Sequence, residues 1–283
     1  MGTISNGQLS AAVNPFGAEL CSLKTADNAE LLWQPDSAVW VQQSPILFPI
    51  IGTLAGEQYE LDGHLYKMSW HGFAMGMDFE LRSRSEDRLL FGLKANEQTR
   101  AVYPFEFELL VSYQLIDRSL RIGFEVKNHG ADTMPFSIGA HPGFVLPDEP
   151  SACFLEFECE ENPECRRLDQ GGLLGGRTTR VPWQGRTLPF EALTFEQGAW
   201  IFPDVNSNRV SLCSRRNSRQ ITVEFADFPN LGIWSKQGAP FVCIEPWHGL
   251  PEPTVPYGSF RNKPGLIPVA PGDSFRCSYS ISC

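Results

Sequence analysis

The sequence has no run approaching the ~20 consecutive apolar residues of a membrane helix, no C-x-x-C pair and no surplus of positive charge. Each absence excludes something. Without the apolar run no transmembrane helix is expected. The opening Met1-Gly2-Thr3-Ile4-Ser5 has neither a cationic start nor an apolar stretch, so a secretory signal is not expected and a cytoplasmic location is. With 23 Lys plus Arg against 33 Asp plus Glu, the net charge of −10 repels nucleic-acid backbones and anionic membranes, so neither is an expected partner. The missing C-x-x-C spacing removes the common zinc and thioredoxin-type sites. The eight cysteines read as reduced thiols, and the even series Cys153, Cys159, Cys165 has no histidine near it, so no metal is expected. Sustained helical periodicity is also lacking, with only a hint of a turn at 191–197. No fixed-period repeat suggests a propeller, and no linker or charge block divides the chain, so residues 1–283 are expected to form one domain.

What the sequence does have is apolar alternation with a period of two. Phe107, Leu109, Val111, Tyr113 and Leu115 precede Asp117-Arg118, and Leu120, Ile122, Phe124 and Val126 follow. Two alternating runs about a short polar break predict an antiparallel hairpin with one buried face. A second hairpin is predicted at Tyr59–Tyr66, where Asp62-Gly63 can supply the positive φ angles of a tight turn. Further strands are predicted at 8–13, 79–83, 89–95, 199–202, 209–213, 220–225, 231–234, 241–245 and 274–281. With 25 Gly and 22 Pro as punctuation, the chain reads as all-β with many short strands. The least regular stretch, 158–190, contains Gly171-Gly172-Leu173-Leu174-Gly175-Gly176. No Lys-Ser/Thr follows these glycines, so a phosphate loop is excluded and a long surface loop is expected.

Three segments place ionisable groups beside glycine or proline and an aromatic at the end of an apolar strand. They are Trp70-His71-Gly72-Phe73-Ala74, Ser137-Ile138-Gly139-Ala140-His141-Pro142-Gly143-Phe144 and Phe241-Val242-Cys243-Ile244-Glu245-Pro246-Trp247-His248-Gly249. A carboxylate after Phe-Val-Cys-Ile sits at the mouth of a buried strand, where desolvation raises its basicity. An imidazole between Gly-Ala and Pro-Gly has a pinned backbone and an aimed ring. Phe144, Trp247 and Trp70 offer flat apolar faces suited to the C–H face of a sugar. Taken singly, each residue has a plainer structural reading: a histidine bonded within a strand, as for His64 and His129, or a strand-end carboxylate on a backbone N–H. Only the joint pattern points to a polyol site.

That pattern resembles the aldose 1-epimerase (galactose mutarotase-like) family, especially its compact bacterial branch. Asn14-Pro15-Phe16-Gly17-Ala18-Glu19-Leu20 looks like the family's opening strand and turn. Ser44-Pro45-Ile46-Leu47-Phe48-Pro49-Ile50-Ile51-Gly52, His71-Gly72-Phe73-Ala74, His141-Pro142 and Cys243-Ile244-Glu245-Pro246-Trp247 follow in the family's order. The resemblance covers roughly residues 8–280 and implies a large antiparallel β-sandwich, the galactose mutarotase-like supersandwich. It implies Glu245 as catalytic base, His141 as catalytic acid and His71 as the histidine that positions the substrate. Trp247 and Asp204, the latter in the Phe202-Pro203-Asp204 turn, are expected to contact the sugar.

The implied activity is mutarotation, the exchange of α and β anomers of a reducing aldose by acid–base ring opening and closure. It is expected to need no cofactor, and the only expected partner is a small sugar. Two positions depart from the family's pattern. Thr53 stands where relatives often carry Arg, and Met75 stands where phosphosugar mutarotases carry Arg after His-Gly-Phe-Ala. Methionine cannot replace a bidentate phosphate partner, so a neutral hexose is expected over its 6-phosphate, unless Arg82, Lys67 or Arg215 reaches in. The alternatives are a mutarotase for a C6-anionic sugar, a non-catalytic carbohydrate-binding sandwich and, last, a glycoside hydrolase, for which Glu245 lacks an evident carboxylate partner.

Overall fold

The strongest alternation in the sequence becomes the middle of the larger sheet. In the structure, a computed structural model describing residues 1–162, 164–169 and 171–283, Phe107–Ile116 and Ser119–Asn128 form an antiparallel hairpin. Asp117, with φ of 50°, turns the chain between them. Leu109, Val111, Ile122 and Phe124 on the inward face are buried, each burial contributing about 1.5–3 kcal/mol. Among the described residues this sheet has nine strands. Their order is Thr187–Pro189, Cys153–Phe157, Arg209–Ser214, Gln220–Glu224, Ser274–Ser282, Ser119–Asn128, Phe107–Ile116, Arg88–Lys94 and Glu80–Arg84.

A second sheet carries the segments singled out above. Its path runs Leu174–Arg180, Glu164–Leu168, Trp200–Pro203, Asn230–Trp234, Phe241–His248, Ile138–Ala140 and Ile46–Leu47, and Gly143–Val145 also pairs with Phe241–His248. Val242, Ile244, Leu231 and Ile233 share one buried apolar cluster with Leu109, Val111, Ile122 and Phe124 of the larger sheet, as a sandwich requires. The fold is all-β, as the alternation leads one to expect, and an antiparallel sandwich, as the resemblance implies.

Strand Phe241–His248 is buried on both faces. Val242 and Ile244 enter the inter-sheet core, whereas Phe241 and Cys243 join an outer cluster with Trp33 and Trp40. Trp247 joins another outer cluster with Leu47, Ile51 and Ile201. Because side chains alternate along a strand, Glu245 falls on this outer face, between the two clusters.

Two expectations need correction. The stretch 158–190 is not a loop: it contains Glu164–Leu168, Leu174–Arg180 and Thr187–Pro189, with Pro163 and Gln170 outside the described residues. Leu174–Arg180 lies at a sheet edge and is mostly exposed, so it carries no apolar alternation, and Gly175 and Gly176 sit inside it. The helical turn expected at 191–197 shrinks to the 3-10 turn Phe190–Ala192. A helix not expected, Glu97–Val102, is too short to show a period. It is fixed by a capping box in which the Thr99 N–H donates to Asn96 and the Asn96 N–H donates back to Thr99 Oγ1. No helix among the described residues is long and apolar enough to cross a membrane.

Candidate active site

The two short strands Ile138–Ala140 and Gly143–Val145 pair with Phe241–His248 in one continuous register, Gly139 opposite Trp247 and Gly143 opposite Cys243. The interruption between them, at His141-Pro142, therefore lies opposite Glu245. Pro246 lies next to this gap, opposite Ala140, where it offers no N–H to the ladder. Opposed residues on adjacent strands face the same side, so the imidazole and the carboxylate meet. His141 Nε2 lies 3.3 Å from Glu245 Oε2.

His71 arrives from elsewhere in the chain and is held by its own backbone. Its φ of 60° is left-handed, its N–H donates to Gly52 O at 2.8 Å, and the Gly52 N–H donates to its Nδ1 at 2.9 Å. Since Nδ1 accepts, the neutral ring carries its proton on Nε2 and presents a donor. The next residue has to be glycine, because a Cβ at Gly72 would lie 2.1 Å from Phe48 O. The His71 and His141 rings meet edge to face with centroids 5.7 Å apart.

The structure thus brings together Glu245, His141 and His71, 1%, 4% and 4% exposed. Burial is the dominant electrostatic fact. It pushes Glu245 well above the usual carboxylate range, and the nearby Trp247 N–H pulls the other way without a hydrogen bond of good geometry. Burial pushes His141 down to about 4, and burial followed by the neighbouring His141 pushes His71 well below an ordinary imidazole. Neither Glu245 oxygen, nor Nδ1 of His141, has a hydrogen-bond partner among the described residues. Three buried polar atoms are therefore free to bind something else.

Apolar rings roof the group. Trp40 lies 5.3 Å and Trp234 lies 5.5 Å from the His141 ring, and Trp40 stacks on Phe241. The Trp40 segment is tied down by Trp33 Nε1, which donates to Trp40 O, and by Lys236 Nζ, which donates to Ala38 O and Val39 O. Trp40 and Trp234 were not singled out in the sequence. Nothing near Trp40 marks it, because its proximity to His141 is created by tertiary packing alone. Trp234, at the end of a predicted strand, faces Cys243 in the ladder and was legible only once that pairing was known.

Trp247 lies on the same face and is 2% exposed. Its indole fits because two neighbours lack side chains: a Cβ at Gly139 or at Gly232 would come within 2.6 Å of the ring. Thr53 is half-buried beside Gly52, and a Cβ on Gly172 would lie 3.2 Å from its methyl, so the turn after Asp169 reaches this edge. Met75 is half-buried in the 3-10 turn Ala74–Gly76, where Gln42 Nε2 donates to its sulfur at 3.3 Å. Asp204 is exposed in a left-handed turn after Trp200–Pro203 and has no hydrogen bond to the three polar groups.

The family profile described as aldose 1-epimerase matches residues 2–282. The chain belongs to the aldose 1-epimerase family. It is 32% identical over 300 residues to the chromosomal Protein LacX of Lactococcus lactis subsp. lactis, covering 99% of this chain and 98% of that one. A galactose mutarotase-like protein from Lactobacillus casei superposes with a TM-score of 0.91 at 32% identity, covering 100% of this chain and 99% of the other. A galactose mutarotase related enzyme from Lactobacillus acidophilus gives 0.89 at 32% identity, covering 99% and 96%. Membership makes this aldose 1-epimerase an enzyme of mutarotase type with a sugar as substrate.

The close fit of Trp247 yields a test. Gly232→Ala is expected to destabilise this epimerase by about 1–3 kcal/mol in urea unfolding, because the added methyl overpacks the indole. A change below about 0.5 kcal/mol would show that the ring has room to move.

Proposed function

We propose that the protein interconverts the α and β anomers of a neutral hexose, with Glu245 and His141 sharing the proton transfers and His71 orienting the sugar. The observation that carries this reading is the buried, facing Glu245–His141 pair, whose lone pairs are unused by the protein.

The proton count is simple. Ring opening takes one proton from the anomeric hydroxyl and delivers one to the ring oxygen. In the form Glu245 carboxylate/His141 imidazolium, Glu245 takes the first and His141 gives the second, leaving Glu245 protonated, His141 neutral and the sugar an open aldehyde. Rotation about the C1–C2 bond presents the other face of the carbonyl. Glu245 then returns its proton to the carbonyl oxygen while His141 takes one from the chain hydroxyl, and the other anomer closes. Each positioned group contributes about 10²–10⁴-fold, without any further reagent.

In the closed site desolvation favours the uncharged form of this pair, in which Glu245 holds the proton. That uncharged form is the one paired with the open-chain sugar. The dry pocket therefore stabilises the ring-opened stage, and the ion pair forms by a proton shift over the 3.3 Å gap once sugar hydroxyls are present to solvate it. His71, held neutral with Nε2 as a donor, suits a hydrogen bond to a sugar oxygen.

The cations that remained candidates for a C6 anion are engaged elsewhere or exposed. Arg82 pairs with Glu80 and Glu108, Arg215 reaches Ser151 O, and Lys67 lies exposed on the hairpin strand His64–Lys67. Met75 and Thr53 offer no charge in their place.

Glu245→Gln is expected to cut anomer exchange, followed by NMR exchange spectroscopy, by about 10²-fold or more while leaving the fold and sugar binding in place. Retention of more than about a tenth of the wild-type rate would remove Glu245 from the role of principal base.

Glucose is expected to be turned over better than glucose 6-phosphate in direct competition. The absent arginine–phosphate contact is worth about 1.5–3 kcal/mol, or roughly ten- to a hundredfold in affinity. Clearly better turnover of the phosphate would overturn the part assigned to Met75, whereas preference for another C6 anion would overturn only the neutral sugar.

A further inference from the structure

Strand Phe241–His248 places Cys243 two residues before Glu245, on the same outer face, and Gly143 opposite Cys243. A Cβ at Gly143 would lie 3.5 Å from the Cys243 sulfur and 2.6 Å from the Trp40 ring, so the thiol lies against the neighbouring strand with that indole packed over it. His141 sits two residues before Gly143. One ring nitrogen of His141, the sulfur of Cys243 and one oxygen of Glu245 accordingly lie within 4.8 Å of one another, and all three residues are buried.

We propose that His141, Cys243 and Glu245 form a binding site for a thiophilic divalent cation such as zinc, and that occupancy blocks the active site. Three observations support it. The donor set of one imidazole, one thiolate and one carboxylate is a zinc donor set. The separation of 3.3 Å between His141 Nε2 and Glu245 Oε2 is close to the edge of a tetrahedron with metal–ligand bonds of about 2.0–2.1 Å. Both oxygens of Glu245 lack hydrogen-bond partners among the described residues, so binding breaks no hydrogen bond of the carboxylate.

Charge also balances. A divalent cation held by a thiolate and a carboxylate is a net-neutral unit, which a buried site tolerates far better than an isolated charge. Binding releases the thiol proton and the proton shared by Glu245 and His141 to solvent, and involves no redox step. The fourth position is left for water or a sugar hydroxyl.

The blocking effect rests on the acid–base reading above, because the cation takes the lone pairs that move protons; the binding itself does not rest on it. Cadmium serves as the direct probe, through the ultraviolet charge-transfer band of a cadmium–thiolate bond, and zinc as the inhibitor in the anomer-exchange assay. The wild-type protein is expected to take up one cadmium ion with this band, to lose exchange activity with zinc, to recover it with a chelator, and to be protected by saturating sugar. Cys243→Ala is expected to keep exchange activity, lose the band, and need at least about a hundredfold more zinc for the same inhibition.

Absence of the band in the wild-type protein, or unchanged zinc sensitivity in Cys243→Ala, would overturn the cation site. A cadmium band accompanied by undiminished exchange would uphold the site and instead overturn the roles given to Glu245 and His141. Should Cys243→Ala fail to fold, Cys243→Ser and the wild-type cadmium titration carry the same decision.

Discussion

The facing of the buried His141 and Glu245 across an interrupted ladder is the constraint on which the rest of the site depends. It requires a break in the strand beside Phe241–His248, and Pro142 and Pro246 lie at that break. It requires space on the outer face, and Gly139, Gly143 and Gly232 give it: a side chain at any of them would come within 2.6 Å of an indole. It also requires a rigid support, which comes from Val242 and Ile244 in the inter-sheet core. The same strand thus anchors the sandwich with one face and carries the proposed acid–base group on the other.

Burial sets the character of the pair. An isolated charge is costly where Glu245 is 1% exposed, so burial favours the uncharged arrangement of the two groups. Coupled groups of this kind are one titrating unit, and the useful question is which atom holds the proton at each stage. The unused lone pairs that suit the site to a sugar hydroxyl are also what make it a trap for a soft cation, with Cys243 as the third donor. Acid–base readiness and metal sensitivity have one physical origin here.

Much of this was legible in the sequence, for identifiable reasons. Long two-faced strands such as Phe107–Ile116 announce themselves by alternation, and Asp62-Gly63 announces its turn by residue type, with φ of 51° and 83°. The histidine and glutamate segments were visible because glycine and proline beside an ionisable group are locally unusual. Other features were hidden because they exist only in register. Leu174–Arg180 is an exposed edge with no apolar pattern. Trp40 approaches His141 across a hundred residues of chain, and Cys243 joins His141 only when Gly143 is paired with it. Cysteine spacing along the sequence, searched for C-x-x-C pairs, could not reveal a donor set whose members come from two strands. Asp204 is exposed in its turn and makes no hydrogen bond to the polar group.

The protonation state of His141 in the sugar-free protein tests the account most directly, and nitrogen-15 NMR of the histidine side chains reads it. Burial predicts a neutral imidazole at neutral pH, taking up its proton only as the pH falls to about 4. An imidazolium at neutral pH in the empty site, titrating at or above the ordinary ~6.5 of a free imidazole, would contradict it.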